Sequence, residues 1–400
     1  MFGAIYIGLS GLNAYSRGLE KVSNNVTNLN TSGFRSTTVT FQSYYGAGSR
    51  GGLSHADSQG QGNGVGLGDA RLDFGQGELR QTDRDLDLAV DGSGFLVLLD
   101  GDKVSYARTG SFEVNDQGFI VLAGTDYRLA TLDAGGRPVS LSIDGMQTSA
   151  PDKTMAIKFS DNLSASSTTY SIPDLTVYDP TGGAHKWTVK FDRDAAAGGN
   201  TWKVSVTDDK GTAISDGGDP PSTSQALKFL LDGHIDTTAS KLVFKGADDW
   251  SVTLDFSENV TSFSSGTVQT LRSASIDGHG VGALTTVSVN AKGEVELGYS
   301  NEKKSALGAV ALADFRDPNR LEQHSGGLFT YDEVGGRELL TSDDPRVGQV
   351  MSKRLEASNV DLSQQFGELI LIQRGFQASS QIVSVSNDMI QQLFGIRGQG

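Results

Sequence analysis

The sequence contains no cysteine in its 400 residues. Disulfide bonds, cysteine-ligated zinc and thiol chemistry are therefore excluded. A long chain without cysteine suits a protein that leaves the cell for a setting of uncontrolled redox state. Proline is also scarce, at 8 residues, whereas glycine is abundant at 51. This composition is typical of β-rich proteins with many turns, and the length predicts two or three domains.

Basic residues are too few for a protein that binds nucleic acid or an anionic membrane. Lysine and arginine number 33 against 48 acidic residues, a net charge of −15, whereas both partners require a basic face. No stretch of about 20 apolar residues is present, so membrane insertion is not predicted. The N-terminus lacks a basic segment, and Ser10, Gly11 and Asn13 interrupt its apolar run. We therefore predict no cleaved signal peptide.

Motifs for catalysis and for metal binding are also missing. The five histidines show no HxxH or HExxH spacing, no GxSxG elbow occurs, and the match Ser300-x-x-Lys303 lacks its partner motifs. The segment 46–68 is rich in glycine, but no strand precedes it and no Gly-Lys-Ser/Thr follows. It is therefore interpreted as a flexible or extended connector and not as a phosphate loop. We predict a protein that is not an enzyme and that has no cofactor or metal site.

The C-terminal region contains the clearest helical pattern, with an apolar residue at every seventh position. The members of this stripe are Leu362, Leu369, Phe376, Val383 and Ile390, with Phe366, Ile372 and Leu393 beside them. The pattern is typical of a helix that packs on other helices. Asp361 and Gln364 predict a capping-box start, and Gly395 predicts the end. Because the other face carries few charges, we expect it to contact protein on several sides; an ordinary two-helix hairpin is the alternative.

The first thirty residues show the same repeat. Its members are Ile5, Leu12, Leu19 and Val26, with Phe2, Leu9, Val22 and Leu29 beside them. Several glycines lower the helix propensity by up to about 1 kcal/mol each, but they allow another backbone to approach closely. The helix is predicted to end near Asn30, with Gly33 in the left-handed capping position.

We predict that the two terminal helices pair and then bind the helices of neighbouring copies. The residues assigned to this assembly are Ile5, Leu9, Leu12, Leu19, Val22, Val26, Leu362, Phe366, Leu369, Phe376, Val383 and Ile390. Each helix should be weak alone and stable only in contact with others. We therefore expect both ends to be disordered in the monomer and to fold on polymerisation.

Between the helices the pattern changes to short strands separated by glycine-rich turns. In the segment 186–192 Trp187, Val189 and Phe191 alternate with polar residues, as expected for a half-buried strand. All three tryptophans lie within residues 146–285. They are predicted to form the core of a small antiparallel sandwich or barrel. A carbohydrate-binding aromatic platform is the alternative interpretation.

Four stretches resemble a known family. Residues 10–35 (SGLNAYSRGLEKVSNNVTNLNTSGFR) resemble the N-terminal signature of the bacterial flagellar rod and hook family, and residues 355–383 (LEASNVDLSQQFGELILIQRGFQASSQIV) are similar to its C-terminal signature. Residues 85–97 and 106–129 resemble its shared β-domain. Residues 146–285 match no recognised motif. The signature residues are Ser10, Gly11, Leu12, Asn24, Asn25, Asn28, Gly33, Phe34, Ser358, Asn359, Val360 and Arg374.

The resemblance implies a multidomain α+β fold. It has paired, coiled-coil-like terminal helices and two mainly antiparallel β-domains, the second inserted in the first. The expected boundaries are 1–30 and 358–400 for the helical assembly domain, 31–70 for the connector, 71–145 and 286–357 for the first β-domain, and 146–285 for the inserted outer β-domain. Rod members of the family are shorter, so the large insertion favours a hook subunit.

The function that the resemblance implies is that of a structural subunit of the flagellar hook. Such subunits polymerise into a flexible helical tube, a universal joint that transmits motor torque to the filament. The implied partners are other copies of the chain, the rod, the hook cap, the hook–filament junction proteins and the export apparatus. The implied location is extracellular, reached without a cleaved signal peptide.

Three alternative functions remain. A distal rod subunit with an enlarged insertion would form a straight, rigid filament. A secreted β-rich adhesin with a coiled-coil stalk would bind a ligand saturably and would not polymerise. A cell-surface hydrolase is disfavoured by the missing motifs.

Overall fold

The computed structural model describes residues 2–45, 62–196, 200–218, 220–246, 250–332, 335–342 and 344–397. These ranges contain two long helices, one at each end of the chain, and a β-rich body between them. Most of the strand pairs are antiparallel, and the fold class is confirmed at this level. The chain divides into two compact units. The first comprises Met1–Asp144, Val287–Leu297 and Ser305–Gly400, and the second comprises Gly145–Thr286 and Gly298–Lys304.

The N-terminal part of the first unit begins with helix α1 (Phe2–Thr27). The strands that follow are β1 (Thr37–Thr38), β2 (Phe41–Tyr45), β3 (Gly62–Leu67), β4 (Arg71–Leu72), β5 (Leu79–Gln81), β6 (Asp87–Asp91), β7 (Phe95–Asp100), β8 (Lys103–Ala107), β9 (Thr109–Val114), β10 (Ile120–Leu122), β11 (Arg128–Leu132) and β12 (Pro138–Ser140). Of the predicted connector 31–70, residues 46–61 lie outside the described ranges. Its described part is not a simple linker, because β3 pairs with β2 and β1 pairs with β4.

The next strands belong mostly to the second unit. They are β13 (Thr148–Ser149), β14 (Ala156–Asn162), β15 (Thr169–Tyr178), β16 (Ala184–Arg193), β17 (Thr201–Thr207), β18 (Ala213–Ile214), β19 (Ser224–Lys228), β20 (Lys241–Lys245), β21 (Ser251–Asp255), β22 (Val260–Thr261), β23 (Arg272–Ile276), β24 (Gly282–Val289), β25 (Glu294–Tyr299) and β26 (Lys304–Ala309). Strands β24, β25 and β26 form a four-stranded sheet with β13, in the order β13-β24-β25-β26.

The C-terminal part completes the first unit. Its elements are β27 (Ala311–Phe315), β28 (Glu322–Gln323), β29 (Leu328–Thr330), β30 (Arg337–Thr341), β31 (Gln349–Ser352), β32 (Arg354–Glu356) and helix α2 (Leu362–Arg397). Short 3-10 helices occur at Thr237–Ala239, Pro318–Arg320 and Ser325–Gly327.

The main sheet of the first unit is organised around β7, whose sequence FLVLL is buried along its whole apolar run. Successive side chains of a strand point to opposite faces of the sheet. Phe95 and Val97 accordingly belong to one apolar cluster, and Leu96 and Leu98 to another. Because both faces of the sheet are covered, the strand reads as a continuous apolar run and not as an alternation.

The second unit has one core shared by two five-stranded sheets. One sheet has the order β20-β21-β14-β22 with β23 also on β14, and the other has the order β15-β16-β17-β18 with β19 also on β17. Trp187, Trp202 and Trp250 are all buried in this core, as predicted. The strand pairs of the unit are mainly antiparallel, and the exceptions are the parallel pairs that β14 forms with β21 and β22.

The ends of the helices differ from the sequence expectations. Helix α1 ends at Thr27, where the Thr27 and Asn28 side chains donate to the Ser23 and Asn24 carbonyls at 2.8 and 2.9 Å. The Asn24 carbonyl also accepts from the Asn28 N–H at 3.2 Å, whereas the N–H groups of Leu29 and Thr31 donate to carbonyls three residues back, so the α-helical pattern ends before Asn30. Gly33 has a positive φ of 71°, but it lies beyond the helix end, so its assignment as the helix cap is wrong.

Only one half of the predicted capping box is present at the start of helix α2. Asp361 accepts hydrogen bonds from the backbone N–H groups of Ser363 and Gln364 at 2.7 and 3.2 Å. The Gln364 side chain does not return to Asp361, because it donates to Glu368 at 3.2 Å. The helix also continues through Gly395 to Arg397, so the predicted stop is wrong.

Candidate assembly interface

The two terminal helices pack against each other in antiparallel orientation. A side chain placed on Gly8 would meet Val383, one on Gly18 would meet Ile372, and near the other end of α1 Asn25 bonds to Gln365. The partner number falls as the α1 number rises, which defines the antiparallel pairing.

The seam between the helices is built from small residues. The buried residues of α2 along it recur at intervals of seven and are Gln365, Ile372, Ser379 and Ser386. The buried residues of α1 facing it are Gly8, Gly11, Ala14, Gly18, Val22 and Asn25. A Cβ atom on Gly8 would lie 2.7 Å from Val383 Cγ2, and one on Gly11 would lie 3.2 Å from Ser379 Cβ. The backbones therefore approach as closely as they do because these positions lack side chains.

The residues that sequence analysis assigned to assembly lie mostly beside this seam and not in it. Only Val22 is fully buried. The half-buried members are Ile5, Leu12, Val26, Leu369, Val383 and Ile390, and the exposed members are Leu9, Leu19, Leu362, Phe366 and Phe376. The seven-residue period is present, but the seam follows the small residues. The role of the twelve residues between copies stays a prediction.

Both helices therefore direct large apolar side chains away from each other. On α2 Leu371 is 72% exposed and Phe394 is 69% exposed. Further exposed apolar residues of the two helices are Tyr6, Ile7, Ile370, Ile382, Val385, Met389 and Leu393. The only charges that accompany them between Ser363 and Gly395 are Glu368, Arg374 and Asp388. An exposed apolar surface of this extent marks a protein interaction site.

A buried ionic cluster joins the segment after α1 to the segment before α2. The Glu356 carboxylate accepts from Arg35 Nη2 at 2.7 Å, from Arg108 Nε at 3.2 Å and from the Gly77 N–H at 2.7 Å. All three charged side chains are buried. Burial lowers the pKa of Arg108, and the neighbouring Glu356 carboxylate acts in the opposite direction. Arg108 also donates to the carbonyl groups of Gly94 and Gly92.

Most of the family-signature residues lie at this junction. Asn25 is buried and exchanges two hydrogen bonds with the Thr37 backbone, and Asn359 accepts from the Ser36 N–H and donates to the Asp73 carbonyl. Gly33 donates its N–H to the Glu356 carbonyl at 2.8 Å. The remaining positions are Asn24 and Asn28 at the end of α1, the buried Phe34 and Val360, and Ser358, whose hydroxyl accepts from the Val360 N–H.

Four signature residues lie elsewhere. Ser10 Oγ accepts from the Val65 N–H of β3 at 3.2 Å, Gly11 lies in the seam, and Leu12 is half-buried beside it. Arg374 is exposed on α2. Arg35, Arg108 and Glu356 were not among the residues predicted from the sequence. The available signal was a charged residue inside each of the quoted signature stretches, GFR and LEAS.

The described ranges offer no arrangement of three or more His, Asp or Glu side chains that could hold a metal ion. Among the helices of these ranges, none is sufficiently long and apolar to span a membrane.

Three family models match the chain, one at each end and one in the middle. They are the flagella basal body rod protein at residues 5–35, the flagellar basal body protein FlaE D2 domain at 148–279, and the flagellar basal body rod FlgEFG protein C-terminal region at 351–396. The third model covers nearly all of helix α2, and the second covers most of the second unit. The statement that residues 146–285 match no motif is therefore wrong.

Full-length relatives agree with these models. The chain is 28% identical over 415 residues to the flagellar hook protein FlgE of Salmonella typhimurium, with 97% of this chain and 98% of the relative covered. It is 25% identical over 462 residues to the FlgE of Borreliella burgdorferi, with 99% and 100% covered. A solved structure, the Helicobacter pylori flagellar hook protein FlgE2, has a TM-score of 0.48 and 12% identity, with 70% of this chain and 99% of that chain covered.

Helical segments at both ends and a β-rich unit between them, each matched by a basal-body family model, define an axial protein of the bacterial flagellum. The chain belongs to the flagellar hook protein family, and the resemblance found in the sequence is confirmed.

Proposed function

We propose that this hook subunit polymerises through the outward apolar surfaces of its paired terminal helices. The observation that carries the proposal is the arrangement of the seam. Glycine, alanine and serine occupy most of the contact between α1 and α2, so most of the large apolar residues remain on the outside. Covering a leucine, isoleucine or phenylalanine side chain is worth about 1.5–3 kcal/mol. Neighbouring copies of the same helices supply a cover that a single chain lacks.

The polymer is a helical tube. The helices form its inner layer, and the β-structure of the first unit and the second unit lie outside them. Contacts between different surfaces of identical subunits generate an open helical assembly when the rotation does not close. The β-structure of the first unit and the second unit each have a hydrophobic core of their own. This suits an outer layer that moves while the inner helices stay joined. In this proposal the tube bends as a universal joint and transmits motor torque to the filament.

The remaining partners follow from that position in the flagellum. The rod binds at the proximal end, the hook cap covers the growing end, and the junction proteins bind at the distal end. The chain reaches its place through the flagellar export apparatus. Each of these partners is proposed from membership of the hook family.

Phe376→Asp tests the outward surface directly. Phe376 is exposed on α2, so the substitution disturbs no core, whereas a buried unpaired carboxylate in a subunit contact is strongly unfavourable. Electron microscopy under polymerising conditions is expected to show no tubes. Val268→Asp, at an exposed apolar residue of the second unit, is the matched control and is expected to leave tubes. Normal tubes from Phe376→Asp would remove this surface of α2 from the interface.

The same micrographs separate the alternatives. Curved, flexible tubes support a hook subunit, straight rigid filaments support a distal rod subunit, and soluble oligomers that never polymerise support an adhesin.

A further inference from the structure

The small residues in the seam do little to specify the register of α1 on α2. Its buried α2 positions recur every seven residues, and two of the four are serine. The facing α1 positions are mostly glycine and alanine. A shift of one helix by seven residues, about 10 Å at 1.5 Å per residue, would bring Gly11 opposite Ser386 and Gly18 opposite Ser379, so that both glycines would again face a small residue.

The lengths of the helices also permit such a shift. Helix α2 runs to Arg397, whereas the α1 position opposite Val383 is already Gly8. If α1 moved by one heptad toward the C-terminal end of α2, Gly11 would face Ser386, and α1 would still lie beside α2 over its whole length. Some specific contact must therefore distinguish the observed register from the shifted one.

Asn25 provides that contact. It is fully buried, and its Nδ2 donates to Gln365 Oε1 at 2.9 Å. The same amide donates to the Thr37 carbonyl and accepts from the Thr37 N–H, both at 2.9 Å. Thr37 belongs to β1, which pairs with β4. The Asn25 side chain thus links α1 both to α2 and to the β-structure of the first unit.

In the shifted register Asn25 would face Ile372. Its buried amide would then meet an aliphatic side chain, and Gln365 would lose its partner. Buried polar groups without hydrogen bonds are disfavoured, and a single buried asparagine is known to fix the register of paired helices.

We infer that Asn25, bonded to Gln365 and Thr37, is the residue that sets the register of α1 on α2 and so determines which outward side chains the helix pair presents together. The inference rests on the proposed function, because the presented surface matters only if copies bind through it. Tyr15 favours the same register by shape, because its ring occupies the space over Gly375 and its centroid lies 5.1 Å from that of the Phe41 ring in β2. Asn25 differs from Tyr15 in that one amide group hydrogen-bonds to both α2 and β1.

Because the chain has no natural cysteine, pairs of introduced cysteines can report the register of the two helices in the assembled protein. Gly11→Cys with Ser379→Cys reports the observed register, because a Cβ on Gly11 would lie 3.2 Å from Ser379 Cβ, near the spacing of a disulfide. Gly11→Cys with Ser386→Cys reports the shifted register. Tubes assembled from a mixture of light and ¹⁵N-labelled subunits are oxidised, and mass spectrometry counts cross-links within one chain.

With Asn25 present, only the first pair is expected to cross-link within a chain. Asn25→Leu is expected to raise the cross-link of the second pair at least tenfold. Asn24→Leu, at the exposed neighbouring position, is the matched control and is expected to leave it unchanged. Gln365→Leu keeps the bonds between Asn25 and Thr37, so it is expected to give a smaller increase in the second cross-link. If Asn25→Leu does not fold, Gln365→Leu tests the inference in its place.

The inference is overturned if neither Asn25→Leu nor Gln365→Leu changes the ratio of the two cross-links. Failure of the unsubstituted chain to form tubes would instead count against the proposed function.

Discussion

The second unit and the terminal helix pair bury opposite kinds of residue. The second unit places its three tryptophans and many aliphatic side chains in its own core. The helix pair buries mainly glycine, alanine, serine and two amides, with Val22 and Ile372 as its buried aliphatic residues, and leaves leucine and phenylalanine outside. Apolar burial is the dominant favourable contribution to folding, so the second unit is complete within one chain. Under the proposed function, the helix pair becomes complete only when other copies cover it.

The junction between the helices and the β-structure of the first unit is the place where the largest loss of stability is expected. Glu356→Ala would leave Arg35 and Arg108 buried without their counter-charge, a change that costs about 3–5 kcal/mol. Calorimetry should show a lower transition temperature for the first unit, whereas the transition of the second unit should not move.

Glu78→Ala provides the control for Glu356→Ala, because the Glu78–Arg80 pair is exposed on both sides and such pairs contribute about 0–1 kcal/mol. Equal effects of the two substitutions would show that the buried cluster does not hold the junction together.

Trp202→Ala tests whether the second unit is complete by itself. Trp202 is buried among apolar neighbours, and removing such a side chain costs about 3–5 kcal/mol of unfolding free energy. Tryptophan fluorescence reports this unit alone, because all three tryptophans lie in it. The exposed position Val243 supplies the control Val243→Ala, which should change little. Loss of tube formation at temperatures where the variant is folded would contradict the layered arrangement.

Gly8→Val tests the close contact of the helices and should have the smallest effect. Its added side chain would collide with Val383 and the Ser379 carbonyl, and such overpacking costs about 1–3 kcal/mol. Gly3→Val lies on the same helix in open space and is the control. The critical concentration for polymerisation should rise for Gly8→Val and not for Gly3→Val; the same rise for both would mean that helix propensity, and not the seam, is responsible.

The strand pattern and the existence of the helices could be predicted because their signals are local. A continuous apolar run predicts strand β7, and a seven-residue repeat predicts helix α2. The phase of the helix contact could not be predicted, because glycine and serine carry no hydrophobic signal while the leucines beside them do. The ionic cluster was missed for another reason. Arg35 and Glu356 are 321 residues apart, and no periodicity connects them.

The most direct test of the account is the reactivity of a single cysteine on the outward helix surface. Leu371→Cys introduces the only thiol of the chain at a position that is 72% exposed, and Val268→Cys does the same on the second unit. Assembly into tubes should lower the labelling rate of Leu371→Cys more than tenfold, because neighbouring helices cover it. An unchanged labelling rate in well-formed tubes would contradict the claim that these surfaces join the subunits.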